Sequence, residues 1–302
     1  MRVTQSMLSN NMLRNLSASY NKMGKLQDQL TTGKKVNRPS DDPVTVMKGM
    51  NFRKQVDKVA QFQRNLGEVN NWLDSSDDAL DHVGSALHRA NELMLNAANG
   101  TLTQQDRESI LAEIKELRKT VQDLSNTKVG DKYIFSGTKT GTPLFGEDGY
   151  PKNDNTDLDN PIEILTGFTN SVEIEVFDGV MLTVNTNGID MFKNIDEMFQ
   201  DIEDAIESTN PSEIQGFIQA TQEQLDVVLM ARANIGARQN RVEMMEHRLT
   251  AQEGIAKKQM SENEDIEYEE VITEMITEES IHRAALAIGA RIIQPSLVDF
   301  LR

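Results

Sequence analysis

The chain has 302 residues, of which 48 are acidic and 31 basic, and its formal net charge at pH 7 is −17. A surface this acidic repels phosphate backbones and anionic lipid, which argues against nucleic acid and membranes as partners. The chain has no cysteine, which excludes disulfides, thiolate metal sites and cysteine nucleophiles.

The first segment with helical periodicity runs from residue 4 to residue 31. Its apolar positions alternate at intervals of four and three residues, which predicts one narrow buried seam. These positions are Met12, Leu16, Met23, Leu26 and Leu30, with Ser19 filling one further seam position. The remaining surface is rich in amides and hydroxyls, and two interpretations stay open. It is either a plain solvent-exposed face or a face that meets neighbouring copies. Gly33 predicts the end of this helix, and Asp42 with Pro43 predicts the start of the next.

A seven-residue apolar repeat organises the next helix, which is long enough to predict a rod rather than a small globular domain. The positions of this repeat are Phe52, Val59, Leu66, Leu73, Leu80, Leu87 and Met94. A later helix that opens at Asn210-Pro211 has the same period and is the expected partner of the first. Its repeat positions are Val228, Ile235, Val242 and Leu249. Between the two, Thr103 and Asp106 have the spacing of a capping box, which predicts a shorter antiparallel helix.

A β-rich insert is predicted from residue 131 to residue 187, before helix returns near Asp190. Apolar and polar residues alternate on both sides of Asp178-Gly179, a dipeptide typical of a tight β-hairpin turn. The acidic run 153–159 invites a calcium-loop interpretation. Asn160 stands where such a loop needs glycine and Thr166 where it needs glutamate, so an ordinary acidic loop is favoured.

The C-terminal part begins with the acidic stretch 261–270, which predicts a weak hinge before a last helix. That helix and the tail after Pro295 are apolar enough to need a docking surface. The apolar residues that we expect to take part in assembly here are Leu286, Ile288, Ile292, Ile293, Leu297, Phe300 and Leu301.

These segments predict a mainly α fold, with an elongated antiparallel helical rod, terminal coiled-coil helices and a small β-rich inserted domain. The predicted domains are the terminal segments 1–45 and 257–302, the rod 46–130 and 188–256, and the insert 131–187. The four histidines lie far apart, and no P-loop, GxGxxG, GxSxG or HExxH motif occurs. We therefore expect no catalytic, cofactor-binding or metal site.

Three motifs resemble those of the flagellin-like superfamily. The opening of the chain, including Leu30 to Asp42, is similar to the N-terminal region of bacterial flagellins, and Ala233 to Glu243 resembles a flagellin C-terminal signature. The segment Asp131 to Thr138 resembles hook–filament junction proteins rather than flagellin, and so does the ending from Ala284 to Arg302. The part of the insert after Thr140 resembles nothing that we can name.

The resemblance implies a mechanical role, that of an adaptor between the flagellar hook and the flagellin filament. The implied partners are hook-associated protein 1, flagellin, further copies of the same chain and a flagellar export chaperone. Export through the flagellar type III apparatus to the extracellular flagellum would need no cleaved signal peptide, and the N-terminus has no apolar core of that kind. Two alternatives stay open, namely flagellin itself and a secreted coiled-coil protein that binds a ligand.

The terminal segments carry apolar seams without a complete bundle of their own. A single helix, or one weak helix pair, is marginal in water because nucleation is costly and little surface is buried. We therefore expect both ends to be mobile in the free monomer and to become helical on assembly.

Overall fold

The structure is a computed structural model that describes residues 5–98, 103–146, 149–150, 167–208 and 211–292. Within these ranges the chain is mostly helical, with two separate antiparallel strand pairs. The long helices are α1 (Gln5–Thr32), α2 (Pro43–Ala97), α3 (Gln104–Ser125), α4 (Ile189–Ser208), α5 (Pro211–Glu264) and α6 (Tyr268–Ile292). The strands are β1 (Lys128–Val129), β2 (Lys132–Tyr133), β3 (Glu173–Phe177) and β4 (Val180–Thr183). The predicted fold class, mainly α with a small β-rich insertion, is confirmed.

Local chemistry explains where several helices begin and end. The Gly33 backbone has a φ of 71°, and its N–H donates to the Gln29 carbonyl at 2.8 Å, so α1 stops there. The Asp42 carboxylate accepts from the Val44 and Thr45 N–H groups at 3.0 and 3.1 Å, which caps α2. Helix α3 begins with a complete capping box between Thr103 and Asp106.

The chain divides into two compact units, each of which is described by itself. Unit 1 comprises Met1–Lys58 and Ala251–Arg302, and unit 2 comprises Val59–Thr250. The insert lies inside unit 2 and is not set apart from it by this division. The domain boundaries that the sequence predicts, at residues 45, 130, 187 and 256, stay predictions.

Unit 2 is built around one continuous apolar core. Helices α3 and α4 pack against each other, and the core draws side chains from α2, α3, α4 and α5. At the edge of this core, charged side chains of α3 pair with those of α4. Arg118 donates to Asp196 at 2.8 Å, and Lys115 donates to Glu207 at 3.1 Å. Because the earlier residue of α3 pairs with the later residue of α4, the two helices run antiparallel.

The hairpin of β3 and β4 belongs to the same core. Gly179 has a φ of 71° in the turn, as the Asp-Gly dipeptide predicts, and Val176, Leu182 and Val184 are buried among the helices. Beside the turn, the Phe177 ring stacks on Phe62 with centroids 6.0 Å apart, and the Arg248 guanidinium lies 4.1 Å from the Phe177 centroid. The hairpin therefore packs against the helices and is part of the core of unit 2.

Unit 1 contains α1, the first part of α2, the last part of α5, and α6. Helices α1 and α6 pack against each other. In the described part of this unit the buried apolar residues are Leu26, Ala256 and Ile266 alone. Unit 1 therefore has almost no core of its own, in contrast to unit 2.

Candidate assembly interface

The pairing of α1 with α6 is partly polar. Lys22 Nζ donates to Glu278 Oε1 at 2.6 Å, and Ser19 Oγ donates to Glu278 Oε2 at 3.4 Å. One turn further along α6, the His282 ring faces the Tyr20 ring with centroids 6.1 Å apart. A glutamate and a histidine thus occupy positions that a simple apolar seam would fill with aliphatic side chains.

The hydrogen bond between Lys22 and Glu278 shifts the titration of both groups. Because Lys22 donates to the carboxylate, the pKa of Glu278 is lowered. The same hydrogen bond raises the pKa of Lys22. Both groups are therefore charged near neutral pH, and they form an ion pair at the edge of the α1–α6 contact, where Lys22 is exposed.

The two linkers of unit 1 join each other where α1 ends and α6 begins. The Ile266 N–H donates to the Gly33 carbonyl at 3.1 Å, and the Lys35 N–H donates to the Glu264 carbonyl at 2.6 Å. Lys34 and Asp265 face each other as an isolated antiparallel bridge, and Lys34 Nζ donates to the Asp265 carboxylate at 2.6 Å. The linkers therefore hold the start of α6 beside the end of α1.

Glu264 is the most enclosed charge in this junction, with 9% of its side chain exposed. Its carboxylate accepts from Arg53 at 2.7 Å and lies 3.4 Å from Lys34 Nζ. A Cβ at Gly49 would overlap this carboxylate, so glycine is needed where α2 passes it. The two cations Arg53 and Lys34 thus balance the charge of Glu264 and Asp265 in a group of which only Glu264 is buried.

Much of the apolar surface of unit 1 is exposed. The large hydrophobic side chains that lie open to solvent there are Met7, Leu8, Leu13, Tyr20, Val44, Met47, Met50, Ile255, Tyr268, Ile272, Ile276, Ile281, Leu286 and Ile288. Contiguous apolar patches mark interaction sites in soluble proteins, and these exposed side chains are the candidates for such a patch in unit 1.

The residues that we predicted for terminal assembly fall into three groups. On α1, Leu26 is buried in the pair with α6, and the half-buried positions are Met12, Leu16, Met23 and Leu30. On α6, Leu286 and Ile288 are exposed by 49% and 57%. Ile292 ends α6 without a described side chain. The others, Ile293, Leu297, Phe300 and Leu301, lie outside the described residues, as does the rejected calcium loop.

The predicted seam of the long helices lies in the interior, except at its first position. On α2 the buried members are Val59, Leu66, Leu73, Leu80, Leu87 and Met94, and on α5 they are Val228, Ile235, Val242 and Leu249. Phe52 is half-buried.

The polar residues and the glycine that join α1 to α6, and those that join the two linkers, were not predicted from the sequence. The first group is Lys22, Glu278, His282 and Gly289, and the second is Lys34 and Glu264. Covered positions on α6 recur at intervals of four and three residues, as Val271, Met275, Glu278, His282, Ala285 and Gly289. Reading helical spacing without regard to polarity would have found this face, whereas a search for apolar residues could not.

The described part of the chain shows no group of acidic, histidine or cysteine side chains arranged to hold a metal ion. Within the same residues, no helix is both long enough and apolar enough to cross a membrane.

Comparison with known proteins assigns the chain to a family. The bacterial flagellin N-terminal helical region matches residues 3–140, and the bacterial flagellin C-terminal helical region matches residues 218–301. The flagellar hook-associated protein 3 of Escherichia coli strain K12 is 25% identical, over 93% of this chain and 93% of that protein. Its counterpart in Salmonella typhimurium strain LT2 is 23% identical, over 94% and 95%.

A solved structure shares the fold. The crystal structure of Bacillus cereus FlgL aligns with 70% of this chain and 99% of its own length, with a TM-score of 0.58 and 21% identity. The chain therefore belongs to the bacterial flagellin family, and along nearly its whole length it is similar to the family's flagellar hook-associated protein 3 members.

Proposed function

We propose that this chain is the structural adaptor that joins the hook of a bacterial flagellum to its flagellin filament. Similarity to two hook-associated protein 3 sequences along nearly the whole chain supports this role over that of a filament subunit. The observation that carries the proposal is the contrast within the molecule. Unit 2 has an extensive apolar core, whereas unit 1 has almost none and exposes many large hydrophobic side chains. Such a surface needs further chains to cover it.

The partners in this proposal follow from the role. Hook-associated protein 1 lies on the hook side, flagellin on the filament side, and further copies of the chain complete a ring. An export chaperone covers the terminal helices before assembly. The protein acts outside the cell, as part of the flagellum, and catalyses no reaction.

Assembly in this proposal proceeds through the terminal helices. The α1–α6 contact includes a histidine and a glycine, with an ion pair at its edge, so it buries less apolar area than the seam of α2. Helix pairs with so little buried area are weak in water, which supports mobile ends in the free chain. Neighbouring copies then cover Leu286, Ile288 and the other exposed terminal residues. The terminal helices thus become ordered only when the joint forms.

A polymerisation assay separates the adaptor from a filament subunit. The purified full-length chain is incubated alone and with sheared flagellin filaments as seeds, and the products are examined by sedimentation and electron microscopy. We expect no long filaments from the chain alone and no elongation of the seeds by it. Long filaments formed from this chain alone would contradict the adaptor role and favour flagellin.

A further inference from the structure

Helix α6 packs on α1 through a face that is less apolar than the two flanks beside it. The covered face carries Glu278, His282 and Gly289 along with smaller or unbranched apolar residues. The exposed flanks carry Ile272, Ile276 and Leu286 on one side, and Ile281 and Ile288 on the other. Because burial of apolar area drives helix packing, area alone would place α1 on a flank. Something other than apolar area selects the covered face.

Two matched contacts distinguish that face. The first is electrostatic, since Glu278 accepts from both Lys22 and Ser19. Acids also lie toward the flanks, since the charge of Glu274 acts on Lys22 and Glu279 pairs with Arg283, but Glu278 is the acceptor of the hydrogen bonds described from Lys22 and Ser19. Hydrogen bonds between oppositely charged groups are stronger than those between neutral groups and demand a defined geometry.

The second contact depends on shape. Met12 of α1 lies over Gly289, where a Cβ would overlap the methionine methyl group. Gly289 is buried, whereas Ala290, the next residue in the chain, is exposed. The methionine thus occupies the space that the absent side chain of Gly289 leaves.

We propose that Glu278 is a specificity-determining residue that, together with Ser19 and Lys22, directs α1 to this face of α6 in its own chain. A polar group in a helical seam sets register and partner at some expense of stability. The selected pairing leaves both isoleucine flanks free. That these flanks then receive helices of other copies rests on the proposed function, whereas the selection of the face does not.

The test measures which face of α6 meets α1 in the full-length chain. Because the chain has no cysteine, introduced thiols report one contact only. Met12→Cys with Gly289→Cys reports the covered face, and Met12→Cys with Ala290→Cys reports the flank that carries Ile272. Disulfide formation is timed for both reporters in dilute solution, where links within one chain dominate and a weak, transient α1–α6 pair still closes through the face that it prefers. Each reporter is then combined with Lys22→Glu, with Lys22→Glu plus Glu278→Lys, and with the matched control Lys25→Glu.

We expect the covered-face reporter to close faster than the flank reporter by at least about threefold, the effect of one ion pair near a surface. Lys22→Glu should bring the ratio of the two closing rates, covered face to flank, close to one. The double exchange should restore this ratio, and Lys25→Glu should leave it unchanged. If Lys22→Glu slows both reporters because the helices separate, recovery of both rates in the double exchange supports the proposal. Equal rates in the parent chain, an unchanged ratio in Lys22→Glu, or failure of the double exchange to restore it would overturn the proposal. Filament attachment is not measured, so this result does not depend on the proposed function.

Discussion

At the scale of single residues, Leu73 shows what holds unit 2 together. It has no exposed surface and lies at the centre of the seven-residue repeat of α2. We expect Leu73→Ala to lower the free energy of unfolding by about 2–5 kcal/mol, since truncation leaves a cavity in a packed core. Chemical denaturation followed by circular dichroism measures this loss. Leu95→Ala is the matched control on the same helix, because Leu95 is 54% exposed and its truncation should change stability little. Equal effects at both positions would show that the seam is not the core.

A second prediction at the scale of single residues concerns the stability of the linker junction at low pH. Lys34 donates to the Asp265 carboxylate, so the pKa of Asp265 is lowered in the folded chain. A carboxyl group whose pKa is lowered by folding stabilises the folded junction at pH values above its ordinary pKa. This stability is lost as the pH falls through the lowered pKa. We therefore expect the junction to weaken below about pH 4.

Hydrogen exchange at the junction measures this effect. The Lys35 and Ile266 amides donate across the two linkers and report its opening directly. Their protection factors, corrected for intrinsic exchange, should fall in acid in the parent chain and fall less in Lys34→Met, where the pKa of Asp265 is lowered less because Ser261 and Lys35 alone remain beside it. Lys25→Met serves as the surface control. The same acid dependence in Lys34→Met and in the parent would rule out this ion pair as the cause.

At the scale of the elements, the glycines of α1 have opposite roles. Gly33 adopts a φ of 71°, and a Cβ there would lie 2.9 Å from the Tyr268 hydroxyl. Gly33→Ala should therefore weaken the end of α1 by about 1–2 kcal/mol. Gly24 lies within the helix, and a Cβ there would have no neighbouring side chain within 4 Å, so Gly24→Ala should stabilise α1 by up to about 1 kcal/mol. Exchange rates of the α1 amides should move in opposite directions in the two variants. Stabilisation by both would contradict the role of Gly33 as a helix terminator.

Apolar periodicity predicted the elements of unit 2 well, because there the buried face of each helix is also its apolar face. The repeat through Leu73 and Leu80 marks the interior of α2, and Asp178-Gly179 marks the hairpin turn. The same rule could not identify the face that α6 presents to α1. That face is built from Glu278, His282 and Gly289, which pair with specific side chains of α1. The large isoleucines of α6 stay exposed, and their periodicity therefore marks its flanks.

At the scale of the whole molecule, the two units differ in how completely they bury their apolar residues. Unit 2 buries most of its apolar side chains in one core, and the large ones that it leaves exposed in its described part are Leu95, Met181, Val227, Leu229, Met230 and Met244. Unit 1 buries little beyond Leu26, Ala256 and Ile266 and exposes a long series of hydrophobic side chains. A self-sufficient unit joined to an incomplete one is the organisation expected of a subunit whose terminal helices finish folding in an assembly.

The adaptor role is tested most directly by deleting the gene and examining the flagella by electron microscopy. We predict intact hooks without filaments and unpolymerised flagellin in the medium, with filaments restored by the full-length chain. Full-length filaments on cells that lack this protein would contradict the account.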